Sequence, residues 1–197
     1  MRDARNPAMT ASLRLQRERS VLVVVDVQER LAPHVADHET LIARIGVLLG
    51  VAEEFAIPRR LTEHCADRIG PVLPQLRTRF GDADIVAKTR FGAADDPAFV
   101  RMLRMTGRDQ VVIAGMEGHV CVMQTVLGLI EHGFAAFPVV DAIGSRPARS
   151  TDRGLALERM RAAGATLVAT EMVLFEWTHD GDDPAFRSVL GHVKALF

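Results

Sequence analysis

The stretch Val21–Asp26 (VLVVVD) constrains the fold more than any other part of the chain. Five consecutive aliphatic residues, four of them valine, cannot alternate between a wet face and a dry one. They describe a strand buried on both faces, and such strands belong to parallel sheets with helices packed above and below. The run is far short of the ~20 apolar residues that cross a bilayer, so no membrane span is expected. It closes on a carboxylate. Asp26 is therefore half-desolvated, which suits either a cap on the next turn or a base.

The rest of the chain repeats the pattern of short β-branched runs separated by amphipathic stretches. Glu39–Phe55 carries apolar residues at spacings of three and four and reads as a helix. Arg59–Glu63 and Asp84–Lys88 read as the second and third strands. Pro97–Met105 reads as a helix ended by Gly107, and Gln110–Gly115 as a fourth strand. His119–His132 is a helix stopped by Gly133. Phe134–Asp141 is a fifth strand, where Pro138 implies a bulge or the start of the strand proper. Thr151–Ala163 is a helix, Thr166–Thr170 a sixth strand, and Pro184–Leu196 a closing helix. The expected fold is α/β: a three-layer, doubly wound sandwich around a mostly parallel six-stranded sheet.

A length of 197 residues fits one domain with a full-size core. Residues 1–20 are expected to form a flexible N-terminal extension and 21–197 a single domain. With 24 basic and 25 acidic residues there is no excess charge for nucleic acid or an anionic membrane, and neither is expected as a partner. Two cysteines build no disulfide framework, and the arginine-bearing first 20 residues contain no apolar signal segment, so the reducing cytoplasm is the expected compartment. Phosphate-loop, dinucleotide, Gly-x-Ser-x-Gly and His-Glu-x-x-His signatures are all missing. One oddity is informative: every basic residue but Lys88 and Lys194 is arginine. A lysine at an interior-looking position is then a choice rather than a default.

In open parallel sheets the ligand crevice lies beyond the carboxyl ends of the strands. That directs attention to Asp26–Gln28, Glu63–Cys65, Lys88–Phe91, Met116–Cys121 and Asp141–Arg146. Lys88 ends the third strand, where a flexible point charge can serve a neighbouring acid or thiol. Cys121 falls in the first turn of the helix after the fourth strand. There the free N–H groups and a nearby lysine are expected to favour the thiolate and depress its pKa. Buried filler is the ordinary role of a free cysteine. Glu63 and His64 lack two further ligands at sensible spacing, so no metal is expected and both read as structural.

These residues stand in motifs that resemble the isochorismatase-like cysteine hydrolases: VVVDVQERL with Asp26, TEH with Glu63, AKTRFGA with Lys88, AGMEGHVCV with Cys121 and VVDAIGSR with Asp141. The resemblance runs from about Val21 to the C-terminus. TEH, EGHVCV, SR and RGLALERMRAAGA look most like the isochorismatase domain-containing subgroup. It implies a Rossmann-like strand order 3-2-1-4-5-6 and a catalytic triad of Cys121, Asp26 and Lys88. It also implies a cis peptide at Met116–Glu117 and an oxyanion hole from the Glu117 and Cys121 amides. Nicotinamidases in the family hold a metal after the second strand with residues that this chain lacks. True isochorismatases lack the cysteine and cleave an enol ether. Cys65 departs from the polar or aromatic residue expected at its position. The implied order sets the Lys88 strand two places from the Asp26 strand, about 10 Å away. Lys88 must reach inward, or the chain there must bend.

The function implied is a cofactor-independent hydrolase of a small amide or related carbonyl C–N substrate, with a covalent acyl-enzyme. Gln28, Phe91, His119, Phe175 and Trp177 are the candidate pocket walls. Relatives often assemble, so a homo-oligomer is expected. The rival is a non-catalytic binding or scaffold protein that kept the fold, with Cys121 as a redox-responsive thiol.

Overall fold

The computed structural model describes residues 13–196. In chain order these form β1 (Ser20–Val25), α1 (His38–Glu54), β2 (Arg59–His64), two single-turn helices α2 (Ala66–Ile69) and α3 (Pro74–Arg77), and β3 (Ile85–Lys88). There follow α4 (Pro97–Arg104), β4 (Gln110–Met116), α5 (Met123–Glu131), β5 (Ala135–Gly144), α6 (Ser150–Ala162), α7 (Thr170–Thr178) and α8 (Phe186–Lys194). The five strands make one parallel sheet in the order β3-β2-β1-β4-β5.

Side-chain alternation along β1 splits the core into two layers. Leu22 and Val24 pack with α1, α7 and α8 on one face, through Ile45, Leu48, Trp177 and Val189. Val21, Val23 and Val25 pack with α4, α5 and α6 on the other, through Phe99, Leu103, Val126 and Met160. Every β1 residue is buried, as the continuous apolar run requires.

Two sequence expectations need correction. The sixth strand, expected over Thr166–Thr170, contracts to a single parallel bridge between Val168 and Val139. The reason lies at its end: the Asp141 carboxylate accepts hydrogen bonds from both the N–H and the hydroxyl of Thr170 and turns the chain into α7. That helix has no counterpart in the sequence reading. The flexible extension expected over residues 1–20 lies partly outside the described residues. From Leu15 onward the chain packs on the sheet: Leu15 is buried with its N–H on Glu176, and Gln16 bonds Gln110.

The fifth strand is irregular near Pro138. Its register against β4 shifts between Ile113 and Gly115. Pro138 itself pairs with Ile113, and its carbonyl accepts the Val168 N–H. The strand order reverses between β1 and β4, which are neighbours. Gly115 makes that contact close: it pairs with Val25 at φ +125°, and a Cβ there would lie 2.1 Å from the Val25 carbonyl oxygen. A side chain would force the two strands apart where their carboxyl ends open onto the crevice.

Candidate active site

Asp26 follows β1 with a left-handed backbone (φ 51°) and no solvent exposure. A carboxylate buried this completely needs compensating partners. Lys88 Nζ donates to its Oδ2 at 2.6 Å, and the Thr62 hydroxyl donates to its Oδ1 at 2.6 Å. The lysine comes from β3, two strands away, and crosses the end of β2 to reach inward. Its Nζ also donates to the carbonyls of Arg90 at 3.2 Å and Phe91 at 3.1 Å. Three ammonium protons thus meet three acceptors.

Cys121 lies on the neighbouring strand's exit. The peptide between Met116 and Glu117 is cis, and Gly118–Val122 then form one wide π-type turn before α5. Both Val120 N–H and Val122 N–H bond the Glu117 carbonyl. The Cys121 side chain is turned inward, 6% exposed, and near enough to Asp26 to feel its charge. The expected depression of its pKa does not occur. Burial pushes the Cys121 thiol up, the Asp26 charge pushes it further, and Lys88 opposes them without prevailing. The physical reason is that the lysine charge is already committed to Asp26. The resting arrangement is a buried thiol against a carboxylate clamped by an ammonium and a hydroxyl.

The remaining candidates divide. The Glu117 side chain is occupied, its Oε1 accepting from the Arg146 N–H at 3.1 Å and Nε at 2.9 Å. Ser145 Oγ accepts the Gly118 N–H and pairs with His119 Nδ1, each at 3.1 Å. His119 is therefore tied to the loop after β5. Gln28 is buried and spends its amide on backbone, donating to the carbonyls of His64 and Gly70 and accepting the His64 N–H. It ties the exit of β1 to that of β2. Phe91 is half exposed with its ring 5.1 Å from the His64 ring. Glu63 accepts the Val72 N–H, and Asp141 holds Thr170 and an ion pair with Arg44, so both are structural.

Phe175 and Trp177 are not brought to this crevice. The Trp177 indole donates to Ser20 Oγ at the start of β1. Six residues at the rise of a strand put that point about 20 Å from Asp26. Phe175 borders a cavity of about 540 Å³ with Leu15 and Gln16 at the same amino-terminal end of the sheet. A second cavity, of about 550 Å³, follows the loops after β2 and β3 and has Lys88 in its wall beside Cys65, Arg90 and Asp96. Cys65 is a free, half-buried thiol there.

Thr62 is the contributor that sequence reasoning missed. A β-branched residue in a strand is ordinarily filler, and its hydroxyl gains meaning once Asp26 is seen beside it. Among the described residues no three His, Cys, Asp or Glu side chains gather as a metal site.

The sequence model of the isochorismatase domain matches residues 20–172. The chain is 33% identical over 191 residues to isochorismatase domain-containing protein 2A of Mus musculus, covering 95% of this chain and 89% of that protein. Its structure is similar to that of the MAR1 ribonuclease from Caenorhabditis elegans, with a TM-score of 0.85, 31% identity and 92% of each chain covered. It is also similar to the YcaC gene product of Escherichia coli, described as an octameric hydrolase of unknown specificity. There the TM-score is 0.82 at 31% identity, with 94% of this chain and 89% of that one covered.

Proposed function

This chain belongs to the isochorismatase family, and on that premise we propose that it is a cysteine-dependent hydrolase of a small amide or related carbonyl C–N compound. The observation that carries the reading is Asp26, buried between the Lys88 ammonium and the Cys121 thiol. Asp26 takes the thiol proton as sulfur adds to the carbonyl carbon, so charge separation is confined to the moment of attack. The Glu117 and Cys121 amides hold the oxyanion. Asp26 then passes its proton to the departing nitrogen, the C–N bond breaks, and a thioester remains on Cys121. Water adds to that carbonyl as Asp26 receives one of its protons; the C–S bond then breaks, Asp26 returns that proton to the departing sulfur, and the thiol is restored as the acid leaves. Lys88 keeps Asp26 anchored through both halves.

A thiol that is protonated at rest suits this cycle, because the base stands close to it. We expect Cys121→Ala to abolish turnover in a screen of small amides while circular dichroism and melting stay near those of the parent. Turnover close to the parent in that variant would sink the mechanism.

The second reading, a binding or scaffold protein with a redox-responsive Cys121, draws support from the same burial, which makes the thiol sluggish at rest. Peroxide and amide electrophiles discriminate the two: sulfenic acid without any acyl adduct favours binding. RNA is not the substrate we propose, despite the ribonuclease among the similar structures, because a net charge of −1 provides no cation excess for a phosphate backbone. Two free cysteines support a reducing compartment such as the cytoplasm. The octameric relative supports self-association.

A further inference from the structure

Both carboxylate oxygens of Asp26 are engaged, and by residues of different strands. Lys88 of β3 holds Oδ2, while Thr62 of β2 donates its hydroxyl to Oδ1. Thr62 is fully buried and stands in register beside Val25. Its carbonyl also accepts the Asp26 N–H at 3.2 Å. One residue therefore grips Asp26 by backbone and side chain together, at the point where the β1 ladder ends and the backbone turns left-handed.

We propose that Thr62 is a positioning residue for the cysteine chemistry: its hydroxyl fixes the rotation of the Asp26 carboxylate and keeps it aligned with the Cys121 thiol. The inference rests on the cysteine-hydrolase reading. A carboxylate held by an ammonium alone gains by turning about its Cβ–Cγ bond to present both oxygens to the charge. The Thr62 hydroxyl opposes that turn by occupying Oδ1. A hydroxyl acting by electrostatics alone would stabilise the carboxylate and hold back proton transfer from the thiol. Its removal would then speed the reaction. Removal of a positioning contact slows it, so the two roles predict opposite signs.

Iodoacetamide reads this step without a known substrate: the thiol proton passes to Asp26, the S–C bond forms and iodide leaves. The rate at Cys121 is followed by intact mass in a Cys65→Ala background, with Thr62→Val, Thr62→Ser, Thr62→Ala and Asp26→Asn compared. Valine keeps the branched shape of threonine without the hydroxyl. Thr62→Val is expected to react about tenfold or more slowly, the scale of one hydrogen bond to a charged group, with Thr62→Ser back within about threefold of the parent. Thr62→Ala reports the same loss if the valine variant does not fold. A rate at or above the parent's in the variants lacking the hydroxyl overturns the proposal. Failure of serine to restore the rate overturns it too, since the effect would then lie in packing. An Asp26→Asn variant that reacts at the parent rate would sink the hydrolase reading itself. A slow Asp26→Asn beside an unchanged Thr62→Val sinks the role of Thr62 alone.

Discussion

Lys88 is one of two lysines in a chain that otherwise meets every basic need with arginine, and its surroundings explain the choice. A tetrahedral ammonium meets one carboxylate oxygen and two carbonyls in different directions, whereas a guanidinium presents its donors in one plane. Cys121 shows the opposite lesson. Helix position and a nearby lysine argued for a depressed pKa, but burial and the Asp26 carboxylate reverse the sign. The raised value has a consequence for stability. Below the unfolded thiol's pKa of about 8.5 both states hold the proton and the group is neutral in the balance. Above it the unfolded chain loses a proton that the folded one keeps, so stability falls as pH rises. Urea denaturation between about pH 8 and 10 should show this loss in the parent and a shallower one in Cys121→Ala. Equal slopes would mean that Cys121 ionises alike in both states.

Elements were legible in proportion to how local their causes are. β1, α1, α4, α6 and α8 follow from apolar periodicity and appear close to their expected bounds. The helix expected over His119–His132 is divided into a π-type turn and α5, a difference of backbone pairing that apolar periodicity over so few residues does not record. The sixth strand failed for a remote reason, since Asp141 on β5 captures the first residue of α7. Gly115 is the position where element geometry tolerates least. Gly115→Ala is expected to cost at least about 3 kcal/mol by urea denaturation, because the added methyl meets strand backbone rather than a movable side chain. Gly154→Ala, in α6 with nothing within 4 Å of the added carbon, should instead be neutral or gain about 0.5–1 kcal/mol. A Gly115→Ala protein as stable as the parent would contradict the close approach of β1 and β4.

At the scale of the whole molecule, winding the chain both ways from β1 brings residues 62, 88 and 121 around residue 26. The proposed site therefore depends on the sheet as a unit: β1 leads to Asp26, β2 carries Thr62, β3 carries Lys88 and the exit of β4 carries Cys121. Self-association belongs to this scale. We expect sedimentation equilibrium to give a multiple of the monomer mass, as the octameric relative suggests. A monomer at micromolar concentration would set this chain apart from that hydrolase.

The sequence by itself determined the α/β class and the parallel sheet, and it singled out Asp26, Lys88 and Cys121 at strand ends as candidates, because apolar periodicity and short motifs are written along the chain. Tertiary structure alone decided which of those residues touch. It braced Asp26 with Thr62, turned Gln28 and Asp141 to structural duty, and sent Phe175 and Trp177 to the far end of the sheet. It also set the protonation of Cys121. Direction, desolvation and charge pairing depend on neighbours distant in sequence, and no local pattern records them.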